Sequence, residues 1–278
     1  MKYSNIYKES IEQPESFWGK AGEAIHWTRK WDKVLDDSGK PFYRWFAGGE
    51  LNTCYNALDY HVENGRKDQV AIIYDSPVTD TVRKISYGQL LESVSVFAGA
   101  LSGIGVKKGD TVIIYMPMIP EALTAVLACA RIGAVHSVVF GGFAPNELAI
   151  RIDDAKPKVI VSASCGVEGK KTLAYKPLLD EAIKIASHKP QNCVIYQRPQ
   201  VKADLTPGRD IDWDNFVKGA KPVPGYNVQI LDADGNRLPN GEEGSVVIKL
   251  PLPPGCLPTL WQDDKRYDAQ NRGRQGLC

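Results

Sequence analysis

The 278-residue chain is 43% hydrophobic and 24% charged, with a formal net charge of +1; this is an ordinary globular composition, long enough for one large domain or two smaller ones. Near-neutral charge, with no basic stripe interleaved with aromatics, excludes a nucleic-acid or membrane-surface binder organised by electrostatics. Cys54, Cys129, Cys165, Cys193, Cys256 and Cys278 form no C-x-x-C pair, which argues against a zinc or dithiol redox framework.

The first residues, MKYSNIYKESIEQPESFW, contain Glu9, Glu12 and Glu15, no apolar core and no early arginine. Neither a secretory signal nor a transit peptide is expected, so the expected location is cytoplasmic, with the mitochondrial matrix as the alternative. No stretch reaches the apolar length of a membrane span. Residues 1–65 are rich in tryptophan (Trp18, Trp27, Trp31, Trp45) and poor in periodicity. Pro14 marks the start of a short helix. The simpler reading of this region is an irregular arm anchored by aromatics; the alternative is a partner-binding surface.

From Val70 strands and helices alternate. Val70–Tyr74 and Val82–Ile85 read as strands, and Ser86-Tyr-Gly-Gln89 is a capping box opening a helix to about Ser102. Thr111–Tyr115 is a β-branched and aromatic run of the kind found in buried strands. Pro117 and Pro120 mark a turn, and Glu121 falls in the first turn of a helix, where the macrodipole favours a carboxylate. Ala122, Val126, Cys129 and Ile132 recur at helical spacing, and Gly133 supplies the left-handed cap. His136–Phe140 is a second apolar strand, with His136 expected as a satisfied buried histidine. Gly141-Gly142 turns the chain sharply after it. Pro145–Ala155 reads as a helix, Lys158–Ser162 as a strand, Cys165–Lys171 as a polar loop, Lys176–Ser187 as a helix, Asn192–Tyr196 as a strand and Asp210–Phe216 as a short helix. Strand–helix–strand units with such short crossovers predict an α/β fold with a mostly parallel sheet.

After the proline-rich join Lys221–Gly225 the pattern becomes antiparallel, with strands at Tyr226–Leu231 and Gly244–Leu250 and a turn at Asp232–Asn236. Residues beyond about Trp261 are expected to be poorly ordered.

Few motifs carry chemistry on spacing alone. Phe140-Gly-Gly-Phe-Ala144 is neither a dinucleotide fingerprint nor a P-loop. It is most simply a tight turn; the alternative is a bare backbone that a ligand can approach. Glu168-Gly-Lys-Lys171 is most simply a solvated loop. Its alternative role is to neutralise ligand phosphates from the end of a strand, where open α/β sheets bind ligands. Asp153-Asp154, beside Lys156 and Lys158, reads as surface charge rather than a metal site. No catalytic triad or metal-ligand constellation is found.

Longer stretches carry more. TVIIYMPMIPEALTAVLACARIGAVHSVVFGGFA, together with ISYGQLLESVSVFAGALSGIGVKKGD before it and NELAIRIDDAKPKVIVSASCG after it, resembles the acyl-adenylate-forming, AMP-binding enzymes. Within these it is most similar to the short-chain acyl-CoA synthetases of the acetyl-CoA and propionyl-CoA synthetase group. The segment IYKESIEQPESFWGKAGEAIHWTRKWDKVLD resembles that group's N-terminal extension, and PVPGYNVQILDADGNRLPNGEEGSVVIKLPLPPG a later β-rich segment of its propionate-preferring members. The resemblance implies ATP (with Mg), coenzyme A and a short carboxylate, acetate or propionate, as substrates. An acyl-adenylate forms first, and the thiol of coenzyme A then displaces AMP. It also implies that Glu168, Gly169, Lys170 and Lys171 stand where the family meets coenzyme A, usually through arginines, and that Phe140, Gly141 and Gly142 lie near the coenzyme A path. Lysine meets a phosphate as a point charge without arginine's fork, and Glu168 would repel it.

Measured against the family, the YTSGTTGxPKG phosphate loop, the adenine-binding segment and the aromatic stretch ending in Thr-Glu are missing at the Ala220–Lys221 junction, and the tail after WQDD departs from the family. The expected organisation is an N-terminal extension at 1–65, a partial AMP-binding domain at 66–220, a β-rich fragment at 221–255 and a divergent tail at 256–278. The sheet should then be incomplete, with open edges and uncovered apolar faces. Two functions follow: an AMP-forming acid–CoA ligase by ancestry, or a non-catalytic product of such a gene that binds coenzyme A or a protein partner. An internal deletion and an altered end, as alternative splicing or a faulty gene model would give, account for the second. A dinucleotide oxidoreductase is excluded by the missing glycine fingerprint. Oligomeric state is not legible in the sequence.

Overall fold

A computed structural model describes residues 2–224 and the backbone of two further strands, at 228–231 and 245–248. The expected turn at Asp232–Asn236, the tail beyond Trp261, Cys256 and Cys278 lie outside the described residues. Two compact units divide the chain, one formed by Met1–Asn52 with Asn227–Cys278 and the other by Thr53–Tyr226.

In the first unit, helices α1 (Tyr3–Glu12) and α2 (Pro14–Gly22) precede an antiparallel pair, β1 (Lys33–Asp36) and β2 (Arg44–Ala47). Pro14 opens α2 as expected, whereas α1, which buries no residue, gave no periodic signal. Trp27, Trp31 and Phe46 pack face to edge, with centroids 5.0 Å apart for Trp27–Trp31 and for Trp31–Phe46. The Trp27 indole N–H donates to the Gly22 carbonyl at 2.8 Å, meeting the one polar need of a partly buried indole.

The second unit begins with a π-helical stretch, Tyr55–Asp59. A hairpin follows, β3 (Val70–Ser76) with β4 (Thr81–Ser86). Helix α3 (Tyr87–Gly103) starts at the Ser86–Gln89 capping box, both of whose hydrogen bonds form. Then come β5 (Thr111–Met116), α4 (Pro120–Ile132), β6 (Val135–Phe140), α5 (Pro145–Ala155) and β7 (Val159–Ala163). Gly133 caps α4 at φ 72°, in the left-handed region that favours glycine. Glu121, at the start of α4, also pairs with Arg83 at 3.0 Å.

Beyond β7 the structure departs from the reading of a polar loop. Residues Cys165–Glu168 (β8) and Lys171–Ala174 (β9) form an antiparallel hairpin closed by Gly169-Lys170, with Gly169 at φ 57°. A two-residue turn with glycine leading is the expected closure for such a hairpin. Helix α6 (Tyr175–Ile185), β10 (Asn192–Tyr196), β11 (Asp210–Asp212) and α7 (Trp213–Val217) complete the unit. Asp210–Asp212, expected as the start of a helix, is a strand paired parallel to β10. Strands β12 (Val228–Leu231) and β13 (Ser245–Ile248) pair antiparallel with each other, as their pattern predicts.

The main sheet is wholly parallel, in the order β11-β10-β7-β5-β6. Its strands alternate between two cores. Val112, Ile114, Val159, Val161 and Val194 join α3, α4 and α7 on one face, while Ile113, Tyr115, Ile160, Cys193 and Ile195 join α5 and α6 on the other. Such strands read as unbroken apolar runs because neither face meets water. The open edge is β6: Val135, Val138 and Phe140 are exposed. His136 is exposed as well, correcting its expected burial, because an edge strand has an uncovered side that its sequence does not reveal. Burial pushes the Cys54 thiol up to about 11 and Cys129 and Cys193 up to about 12, so these are inert core residues.

One buried ion pair ties the π-helical stretch to α4. Arg131 Nη1 and Nη2 donate to the two Asp59 carboxylate oxygens at 2.7 and 2.9 Å, and Arg131 Nε donates to the Val223 carbonyl at 2.7 Å. Val223 N–H in turn donates to the Ser95 carbonyl, and a Cβ on Gly99 would fall 1.9 Å from the Lys221 carbonyl oxygen. The chain just past the Ala220–Lys221 junction is thus seated against α3 and bonded to Arg131. Removing one partner of a buried pair leaves an uncompensated charge, so Asp59→Ala should lower unfolding free energy by about 3–5 kcal/mol. Urea denaturation measures this; an unchanged midpoint would contradict it.

Candidate functional site

Helix α4 leaves β5 toward one face of the sheet, while the hairpin and α6 that follow β7 return on the other. In an open α/β sheet, the carboxyl ends of strands whose connections diverge in this way border a crevice. A cleft of about 570 Å³ opens there, among the ends of β5 and β6, the β3–β4 turn, β8, Tyr175 at the start of α6 and Arg198 after β10.

Its walls are largely apolar: Met116, Ile119 and Val139 are buried, while Met118, Val138 and Phe140 are exposed. The charged groups are Arg198, buried, and the exposed carboxylates Asp75 and Glu168.

Two tyrosines fix the turn after β6. The Tyr115 hydroxyl donates to the Phe143 carbonyl at 3.1 Å and accepts from the Gly142 N–H at 3.2 Å. The Tyr175 ring lies against the backbones of Gly141 and Gly166. A Cβ on Gly141 would fall 2.6 Å from its hydroxyl oxygen, and one on Gly166 2.3 Å. Both glycines therefore make room for the protein's own tyrosine. Gly142, at φ 94°, takes a backbone conformation that other residues rarely adopt. Burial raises both phenols, Tyr175 to about 12.

Of the residues singled out in sequence, Phe140, Gly141 and Glu168 line this cleft. Gly142 adjoins them, its vacant Cβ position 3.4 Å from Glu168 Oε1. Gly169, Lys170 and Lys171 occupy the exposed end of the β8–β9 hairpin and do not line the cleft. Tyr175 and Arg198 escaped the sequence reading, because neither belongs to a motif and their neighbours are set by the fold. Asp153 was read as surface charge; its carboxylate accepts the Ser187 and His188 N–H groups at 3.1 and 2.8 Å, which holds its pKa below the usual carboxylate range. Among the described residues no cluster of three metal-ligating side chains occurs, and no helix is long and apolar enough to cross a membrane.

Two family models match the chain: acetyl-coenzyme A synthetase N-terminus over residues 3–57 and AMP-binding enzyme over residues 59–214. Over 221 residues the chain is 55% identical to the human acyl-CoA synthetase short-chain family member 3, mitochondrial, spanning 79% of this chain and 32% of that protein. It is 46% identical over 213 residues to the propionate–CoA ligase of Salmonella typhimurium, spanning 77% and 34%. The chain thus spans about a third of the length of these relatives. The structure of acetoacetyl-CoA synthetase from Streptomyces lividans superposes with a TM-score of 0.70 at 20% identity, over 90% of this chain and 38% of that one, a likeness of fold.

Because the folded Tyr175 pKa lies above the ordinary 10.0, the folded state holds this proton more tightly than the unfolded state. Its contribution to stability is complete below about pH 10 and is lost as pH rises toward about 12. Tyr175→Phe should make the loss of stability over that range shallower, as measured by denaturant unfolding at stepped pH. An identical slope in the variant would contradict the assignment.

Proposed function

Because the chain belongs to the AMP-binding enzyme family, and within it groups with the short-chain acyl-CoA synthetases, we propose that it descends from an ATP-dependent, AMP-forming acid–CoA ligase for acetate or propionate. We propose further that it keeps the coenzyme A side of that machinery without the adenylating side. The family's substrates are ATP and coenzyme A; the acid is a proposal drawn from the relatives' names.

The observation that carries this reading is the content of the described unit. The parallel sheet, the turn after β6 and the β8–β9 hairpin are formed, and the exposed hairpin presents Lys170 and Lys171 beside Glu168. Adenylation needs preorganised donors on a triphosphate, commonly the largest catalytic contribution. No glycine-rich phosphate loop occurs in this sequence. In this reading Lys170 and Lys171 meet the phosphates of coenzyme A as point charges, while Phe140, Gly141, Gly142, Glu168 and Gly169 shape the approach. Asp75 and Glu168 weaken that contact. The mitochondrial designation of the human relative supports the matrix over the cytosol for this chain.

Acid-dependent ATP–pyrophosphate exchange on the purified chain should stay at background with either acetate or propionate; exchange clearly above background would overturn the loss of adenylation. Coenzyme A titrated calorimetrically should bind weakly. The double variant Lys170→Glu/Lys171→Glu should weaken binding severalfold, more so at low salt, because the contact is exposed. Unchanged affinity in the double variant would remove the hairpin from the site.

A further inference from the structure

Strand β6 ends the parallel sheet, and among the described residues β5 is its one paired neighbour. The Val135 N–H donates to the Asp110 carbonyl at 2.8 Å, so Val135, Ser137 and Val139 turn their backbone groups toward β5. Successive residues of a strand alternate in this respect. The N–H groups of His136, Val138 and Phe140 are therefore aimed away from the sheet, together with the His136 and Val138 carbonyls. The Phe140 carbonyl accepts the Phe143 N–H at 3.3 Å in the turn that follows. The side chains of the same three residues share one face of the strand and are exposed, Val138 at 60% and Phe140 at 64%.

Edge strands are normally blunted by a charge, a proline or a bulge. Strand β6 carries none of these: its register with β5 is unbroken from Val135 to Phe140, and no Asp, Glu, Lys or Arg occurs between Arg131 and Glu147. A charged partner strand would find no counter-charge here and would lose solvation against Val138 and Phe140. A neutral, apolar strand fits, and symmetry selects β6 of a second copy. Directly opposed residues of an antiparallel pair share a face. A two-fold axis at Val138 sets Val138 against its own counterpart and His136 against Phe140 of the second copy, so all three exposed side chains meet. Val138 then exchanges both backbone hydrogen bonds with its counterpart, and each Phe140 N–H donates to a His136 carbonyl. An axis at Ser137 would leave Phe140 without a strand partner, and an axis at Val139 would leave His136 without one.

We propose that β6 is a self-association edge, through which two copies of this chain join antiparallel about a two-fold axis at Val138 into one continuous sheet. The contact is isologous, so it closes at the dimer and leaves no further β6 edge to propagate. A strand of this length spans about 20 Å. Its pairing alone covers less than the roughly 1,600 Å² of a standard stable interface, so the dimer is reversible and dependent on concentration. The proposal does not rest on the coenzyme A reading: that reading depends on the hairpin lysines, whereas this one depends on the outward backbone and neutral face of β6.

Sedimentation velocity on the full chain, from low to high micromolar concentration, should show the mass rising from 30.6 kDa toward twice that value and stopping there. Val138→Lys places two ammonium groups opposite each other on the axis and should weaken the dimer about tenfold. Val138→Thr keeps the β-branch and the neutrality, and should dimerise within about threefold of the parent chain. Hydrogen exchange on the parent chain supplies a readout that needs no variant: the His136, Val138 and Phe140 amides should exchange more slowly as concentration rises. That measurement decides the matter if Val138→Lys fails to fold. A mass fixed at 30.6 kDa throughout, growth beyond the dimer, or a dimer unweakened by Val138→Lys would each overturn the proposal. So would slow exchange of the three amides already in the monomer, which would assign the edge to another segment of this chain.

Discussion

Every residue of β7, and residues Val112–Met116 of β5, are buried, and the rest of the second unit answers to that constraint. A strand with no solvent face must send alternate side chains into two separate cores. Helices α3, α4 and α7 cover one core, and α5 and α6 the other. Backbone N–H and C=O groups that deep must be paired, and β7 meets this by hydrogen-bonding to β10 on one side and β5 on the other. The connections leaving β5 and β7 therefore diverge to opposite faces, and the cleft opens where they part. Its position follows from covering the sheet.

The same constraint explains which parts of the fold were legible in sequence. The apolar runs of β5 and β7, the capping box at Ser86, the cap at Gly133 and the proline starts of α4 and α5 each carry their own local chemistry, and each lies where that chemistry puts it. The hairpin β8–β9 was missed because four-residue strands show too little alternation and Glu168-Gly-Lys-Lys171 looks like solvated loop. Strand β11 was missed because Asp210-Ile-Asp212 is mostly acidic. Its burial depends on distant partners: Lys176 lies 2.9 Å and Arg209 2.6 Å from the Asp210 carboxylate. Burial alone would raise the Asp210 pKa, but these hydrogen bonds outweigh it and hold the carboxylate ionised. His136 shows the converse. An apolar strand sequence reads as buried, yet β6 lies at the sheet edge, and local sequence does not encode which strand is last.

The candidate site was half legible for a related reason. Gly141 and Gly142 stood out because Gly-Gly after an apolar strand is the ordinary turn dipeptide, and a tight turn was the simpler reading, with bare backbone for a ligand as the alternative. Packing favours the turn: Tyr175 occupies the space beside Gly141, with Gly166 on its other side, and Tyr115 bonds both Gly142 and Phe143. The absent side chains admit an internal aromatic. Tyr175 and Arg198 both line the cleft. These two lie 23 positions apart in sequence, on opposite sides of a helix and a strand, and only the fold brings them to one cavity.

Charge then separates recognition from catalysis in this unit. Moving a phosphoryl group demands several cationic or N–H donors converging on charge that develops during reaction. The cleft offers one guanidinium, part of whose donor capacity is already given to the Cys165 carbonyl, against two carboxylates at its rim. The hairpin lysines are solvated, where each charge is worth little and is screened by salt. Such a distribution does not concentrate positive charge on a triphosphate. The electrostatics of adenylation would have to come from residues other than these.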